Sequence, residues 1–391
     1  MNKYVISNKQ ARLFILLKQG LLGDYKFISK QGILDFIKQA GCIQFDPIDV
    51  CGKNAELTLQ SRVKGFTKQM LYELLYQDRK LIDYFDKNLS IICIEDWKYF
   101  SRIRLQNQQH GASRDDVNEV SDAIKAIIKE KGFVCSKDIN LNKKVDWYWS
   151  ETNLSRAALE TLYFRGDLII HHKKGTIKYY SLAEDYIPQE ILCDKDPSDS
   201  EFEFMKWRTL RRISAVGRIW NKPSDAWLNI HNFKAVQRNN VFEALIKEDK
   251  ITEIQIEDKK DKFYCLTSDM DLIKSVLGNN KFKERTELIA PLDSMLWDRK
   301  LIKEIFNFDY KWEIYTPAGE RKYGYYVLPI ISGINFVGRT EIINDKNSKE
   351  LIIKNIWYEN NIEPSKKLKS GLESCFKRFA KFNECEMAAN K

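Results

Sequence analysis

Three times before residue 268 the chain passes through two amphipathic helical stretches and then into strand-like residues. That recurring order constrains the fold more than any other feature. The first pass opens with "SNKQARLFILLKQGL", where Ser7 or Asn8 caps apolar residues at helical spacing and Gly20 stands near the end. "ISKQGILDFIKQAG" repeats the pattern, with Ser29 as cap and Gly41 as stop, and "TKQMLYELLYQDRKLIDYF" reads as a further amphipathic helix. In the second pass "DDVNEVSDAIKAIIKEKGF" ends at Gly132 and "SETNLSRAALETLYFRGD" closes at Gly166. "LIIHHKK" and "TIKYYSL" then flank Gly175 as a hairpin. The third pass has "DSEFEFMKWRTLRRISAVG", "NFKAVQRNNVFEALIKEDKI" and the strand pair "ITEIQIED" and "DKFYCL". Helices followed by a hairpin are the plan of a winged helix, in which the last helix enters a groove and the hairpin is the wing. No exact repeat is visible, so the similarity is one of pattern.

The spacing therefore predicts an α+β fold with three tandem winged-helix motifs, at residues 1–110, 111–190 and 191–278. A small β-rich domain, 279–391, completes it. Its strands are read as "KWEIYTP", "YGYYVLPII", "NFVGRTEII" and "LIIKNIWYE". The tail "PSKKLKSGLESCFKRFAKF" is expected to form a basic helix with Leu368, Leu372, Phe376, Phe379 and Phe382 on one stripe. A hydrophobic fraction of 43%, with 12% aromatic residues, belongs to folded protein. The net charge of +9 suits either ordinary solubility or a surface that meets phosphates and bases.

The amino terminus lacks a secretory h-region, and no window approaches the roughly 18 apolar residues of a membrane span. A cytoplasmic protein without membrane contact is expected. Eight scattered cysteines without a C-x-x-C pair, and only four histidines, predict reduced thiols and no metal site.

The stretch "CIQFDPI" is where chemistry enters. On a strand, Ile43 and Phe45 would face the core while Gln44 and Asp46, roughly 7 Å apart along the chain, share the open face up to Pro47. An edge strand with a solvated polar face satisfies the same pattern. A carboxylate facing DNA phosphates weakens binding, so its presence there implies a task. Breaking the glycosidic bond to an N7-alkylated purine fits: the base is already cationic and leaves readily. Asp46 would stabilise the oxocarbenium-like sugar or take a water's proton, and Gln44 would hold that water, with no cofactor.

The sequence resembles the winged-helix DNA glycosylases of the AlkZ/AlkX type, including the YcaQ-like proteins. The resemblance rests on "QARLFILLKQGL", "IQFDPIDV" with "LTLQSRV", "LLYQDRKLIDYF", "RAALETLYFRGDLII" and "KYYSLAEDYIP". Most specific is the long run "LIAPLDSMLWDRKLIKEIFNFDYKWEIYTPAGERKYGYYVLPI" with "FVGRTEI". It implies tandem winged helices with a C-terminal β-rich domain and a catalytic signature that falls on Gln44 and Asp46. It also implies monofunctional hydrolysis of alkylated bases, bulky adducts and interstrand crosslinks, leaving abasic sites. The aspartate form resembles the AlkX, crosslink-unhooking branch. Where many relatives carry paired histidines this chain has Ala55 and Glu56, and where relatives carry another histidine it has Asp86 or Lys87.

The partner expected is double-stranded DNA containing alkylated or crosslinked bases, met by a monomer. Arg62 matches the family's Ser-Arg step and reads equally as a phosphate grip or a structural salt bridge. Lys53 and Asn54 are candidates for DNA contact. Arg208, Arg211, Arg212 and Arg218 read as a DNA-facing cluster or as a solvated helix face. His171 and His172 are expected to be solvated or to touch the DNA backbone rather than bind metal, and Trp147 and Trp149 to pack beneath the second winged helix. The rival to a glycosylase is a non-catalytic winged-helix regulator, which would have no use for an acid–amide pair.

Overall fold

Ser7 starts the first helix, Asn8–Lys18, by a reciprocal cap: its Oγ accepts from Gln10 N at 3.2 Å while its own N donates to Gln10 Oε1 at 2.8 Å. The computed structural model describes residues 4–148, 150–278, 280–360 and 362–388. The next helix, Ser29–Ala40, differs slightly from expectation. Ser29 is its first residue and makes no side-chain cap, which Ile28 supplies by backbone alone. Gly41 stops it at φ +72°, and a Cβ there would lie 3.1 Å from the Arg211 guanidinium. The expected long helix of "TKQMLYELLYQDRKLIDYF" is instead a helix, Lys68–Tyr76, and a strand, Leu81–Phe85. Arg79 turns the chain at φ +52°, and the short apolar run beyond it fits either period.

The chain forms two compact units, one from Met1–Leu71, Phe85–Ile91 and Met205–Lys391, the other from Tyr72–Tyr84 and Ile92–Phe204. In the first, the hairpin Ile251–Ile256 and Lys262–Leu266 forms as expected, with Ile254 opposite Phe263. Two strands unforeseen in the sequence widen it. Tyr4–Ile6 pairs parallel to Ile251–Ile256, and Ile219–Trp220 lies antiparallel to Lys262–Leu266. The helices Glu201–Val216 and Ala235–Lys247 precede this hairpin in the chain.

The carboxyl-terminal part of the same unit is a five-stranded sheet in the order Thr286–Leu288, Val327–Ser332, Asn335–Asp345, Glu350–Tyr358, Glu386–Met387. "KWEIYTP" is not one of its strands. Glu313 turns its carboxylate to the backbone N–H groups of Lys322 and Tyr323, at 3.1 and 2.9 Å, so this segment braces a loop. The tail helix Lys366–Phe382 docks by the expected stripe: Leu368, Leu372, Phe376 and Phe379 join the core, with Phe382 against its edge. At Gly338 any side chain would collide with Trp357 O, so the two central strands approach there without one.

In the second unit the helices Arg114–Lys131 and Leu154–Arg165 stop at Gly132 and Gly166 as their sequence foretells. The hairpin Leu168–Lys174 and Ile177–Leu182 follows. Tyr84 packs edge-on against Trp97 and Tyr163, and its hydroxyl donates to Phe164 O at 2.7 Å. Buried Asp83 accepts from Tyr76 at 2.9 Å and holds Lys173 at 2.6 Å. Trp147 stacks on Phe164; Trp149 lies outside the described residues. All eight cysteines are free thiols, and among the described residues no helix is long and apolar enough to cross a membrane.

Candidate active site

The strand carrying Gln44 is only two residues long. Ile43 and Gln44 pair antiparallel with Ile91 and Ser90, and Phe45 N then donates to Leu89 O at 2.8 Å. Alternation ends there because local hydrogen bonds take the chain over. Asp46 Oδ1 accepts from Ile48 N at 2.9 Å, a turn across Pro47. Asn54 Nδ2 donates to Gln44 O at 2.8 Å, and Asn54 Oδ1 accepts from Leu292 N at 3.0 Å. The expected open, polar face is therefore corrected. Gln44 is 9% exposed and Asp46 is half-buried.

Two consequences follow for chemistry. The Gln44 Oε1 atom is buried with no donor among the described residues, which costs about 1–3 kcal/mol until a polar guest supplies one. Burial pushes the Asp46 carboxyl above its ordinary range, against the pull of the Ile48 N–H. The loop beyond is seated on the C-terminal sheet. Ile48, Val50 and Cys51 pack with the core that includes Tyr326, Asn344 N donates to Val50 O at 3.0 Å, and Asp49 pairs with Lys346 at 2.8 Å. Lys53 then leads into the helix Asn54–Gln60 and keeps a partly open side chain. Glu56 accepts from Lys53 N at 3.3 Å as a helix cap, and burial raises its carboxyl against nearby Lys68 and Lys53.

Asn54, Arg62 and all but one of the helix-region arginines singled out in the sequence are buried. Asn54 is enclosed, serving the two backbone groups just named. Arg62 has no accessible surface: its guanidinium pairs with buried Asp293 at 2.7 Å, donates to Thr58 O and Ser61 Oγ, and lies over the Phe36 ring. Of its two readings, the structure has the salt bridge. The helix arginines form neither a DNA face nor a solvated one. Arg208, Arg211 and Arg212 close on buried Asp86 at 3.0, 2.9 and 2.6 Å. Arg218 is buried over Phe14. Burial alone would raise the Asp86 carboxyl, but Arg208, Arg212 and Arg211 outweigh it and hold it well below the usual carboxylate range. The signal was present: three arginines at i, i+3 and i+4 share one helix stripe, and such a stripe can be turned inward by a buried acid.

His171 and His172 are partly buried on their hairpin, with their Nδ1 atoms 2.7 Å apart; one ring stacks on Phe133 and the other on Tyr179. Burial, Arg79 and the neighbouring His172 lower His171 to about 4.

With this geometry in hand, comparison with known proteins gives two findings. Residues 37–382, which include Gln44 and Asp46, match the family described as DNA glycosylase AlkZ-like. The fold is similar to that of the Streptomyces sahachiroi DNA glycosylase AlkZ, with a TM-score of 0.63, 14% identity, and 97% of each chain covered. The match spans most of the sequence, and the chain belongs to the AlkZ-like DNA glycosylase family.

Proposed function

We propose that this protein hydrolyses the N-glycosidic bond of N7-alkylated purines in duplex DNA, including bulky adducts and crosslinked bases, and leaves an abasic site. Three winged helices, at 1–110, 111–190 and 191–278, would grip the duplex, and Lys53 would reach a phosphate beside the site. Asp46 takes the water's proton or faces the sugar cation as the base departs, and Gln44 holds the water. The cationic base leaves as a neutral molecule, so the protein need not protonate it. The observation that carries this reading is the pairing of a buried amide oxygen lacking a donor with a half-buried carboxylate two residues on. A mere DNA-binding module has no reason to keep either. A bulky or crosslinked base cannot be swung into a tight pocket, so attack from the duplex edge is favoured over full flipping.

The test is base release from a duplex bearing N7-methylguanine or a nitrogen-mustard crosslink, read as alkali-labile strand breaks. Wild type is expected to release the base, and Asp46→Asn and Gln44→Ala to do so about 100-fold more slowly, the usual scale of lost acid–base assistance. Equal, background breaks from wild type and Asp46→Asn would favour the regulator.

A further inference from the structure

The C-terminal sheet has an edge that is only partly covered. Glu386–Met387 lies parallel to Glu350–Tyr358 but pairs with Glu350 and Leu351 alone. Beyond Leu351 the outer edge of that strand has no partner strand among the described residues. The backbone N–H and C=O groups of such an edge are a template for another chain. A groove of about 660 Å³ lies against it, lined in part by Ile353, Lys354, Asn355 and Ile356. Side chains of a strand alternate between faces, so four successive lining residues make the backbone edge itself one wall.

The other wall is the tail helix Lys366–Phe382. Lys369, Leu372, Glu373, Phe376 and Lys377 line the groove at i, i+3, i+4, i+7 and i+8, one stripe of that helix. The groove is thus apolar at Ile356, Leu372 and Phe376 and carries a basic rim. Glu373, the one acid of the lining, is already paired with Lys377 at 2.6 Å. Lys354 and Lys369 are exposed, and among the described residues neither meets an acid. Lys354 is also the residue that a bulge leaves without an opposite number on the neighbouring strand.

We propose that this groove docks an acidic segment of another protein, bound as an added strand with apolar side chains at alternate positions. Main-chain bonds to the open edge hold such a strand, and alternate side chains entering the groove select it. Its carboxylates answer Lys354 and Lys369, while its phenyl or branched aliphatic groups cover Ile356, Leu372 and Phe376. Nucleic acid would engage the lysines and leave the apolar surface uncovered. A second copy of this chain would bring lysine against lysine, which is how a charged edge keeps like sheets apart. The groove shares no residue with the stretch 43–63, so the proposal stands or falls independently of the glycosidic reaction.

The test is fluorescence anisotropy with the full chain and a fluorescein-labelled peptide, Asp-Phe-Asp-Ile-Asp-Phe-Asp. Saturable binding with a Kd below about 100 μM is expected. Lys354→Glu with Lys369→Glu should weaken it at least 10-fold, because like charges then face each other. Lys129→Glu with Lys137→Glu, the same change of charge at exposed positions in the second unit, should leave it as in wild type. Methylating the peptide's backbone nitrogens removes its ladder donors and should also weaken binding at least 10-fold. No saturation below about 1 mM, equal binding of the methylated peptide or of one with lysine for aspartate, or equal losses in the two double variants overturns the proposal. Displacement by undamaged duplex DNA would overturn it in favour of nucleic acid. A dimer in light scattering that the peptide dissolves would overturn it in favour of a second copy.

Discussion

Asp86→Asn should be the most damaging change of one charge in the first unit. Asp86 has no accessible side-chain surface, nor have Arg208 and Arg212, and Arg211 has little. The carboxylate stands within 3.0 Å of all three guanidiniums. The amide keeps the shape and removes the anion, leaving three cations to repel one another out of reach of water. Breaking a buried pair by removing one partner costs about 3–5 kcal/mol. Three partners argue for the upper half of that range, a large share of the roughly 5–15 kcal/mol that holds a typical fold.

The assay is urea unfolding followed by tryptophan fluorescence, because urea carries no charge to screen the cluster. Arg211 lies 4.4 Å from the Trp207 ring and Arg212 5.3 Å from the Trp297 ring, so the reporters sit beside the perturbation. Arg212→Met is expected to destabilise wild type yet to cost at least 1 kcal/mol less, or to help, in the Asp86→Asn background. The pH dependence has a fixed sign. Asp86 has a depressed pKa, so its contribution is complete above the unfolded value of about 3.9 and is lost as pH falls towards the folded value. The gap between wild type and Asp86→Asn should be flat from about pH 5 to 8 and narrow below about pH 4. A loss under 1 kcal/mol, or an Arg212→Met effect equal in both backgrounds, would refute the counter-ion account.

Two further outcomes concern the motif. Asn54→Ala leaves Gln44 O and Leu292 N unpaired inside the protein and should cost about 2–4 kcal/mol in the same unfolding assay, while a loss near zero would mean that neither bond supports the strand. In the proposed reaction Asp46 acts ionised, and burial raises that group, so the acidic limb of the pH–rate profile should fall above the ordinary aspartate value of about 3.9. A limb at or below that value would show that another group acts.

Helix punctuation was readable because it is local. The Ser7 box needs only Gln10, and Gly41, Gly132 and Gly166 end their helices by their own backbone freedom. Pairings between distant residues were not readable. Nothing near Tyr4–Ile6 announces a partner at Ile251–Ile256, and nothing in "RTLRR" tells that its counter-ion is Asp86. The exposure of the Gln44–Asp46 motif differs from the sequence expectation. Strand alternation assumes that the ladder continues, and here Asn54 and the turn at Asp46 replace it after two residues.

The buried ions explain how so short a strand can be held in place. On one side, Asp86 and its arginines fix the turn of the hairpin that pairs with Gln44. On the other, Arg62 and Asp293 tie the segment that follows the helix Asn54–Gln60 to the loop whose Leu292 N donates to Asn54 Oδ1, and Asn54 Nδ2 in turn donates to Gln44 O. A hydrophobic replacement of either cluster could match its stability, but it would lack the directional bonds that set the strand from both sides. The arginines that the sequence offers as a DNA surface therefore act from within, through placement of the acid and amide. In the proposed function, contact with phosphate would then fall to lysines such as Lys53, whose side chain remains partly open beside the motif. On this account, substitutions at Lys53 alter DNA affinity and its salt dependence, whereas substitutions in the two ion clusters alter the geometry of Gln44 and Asp46 first.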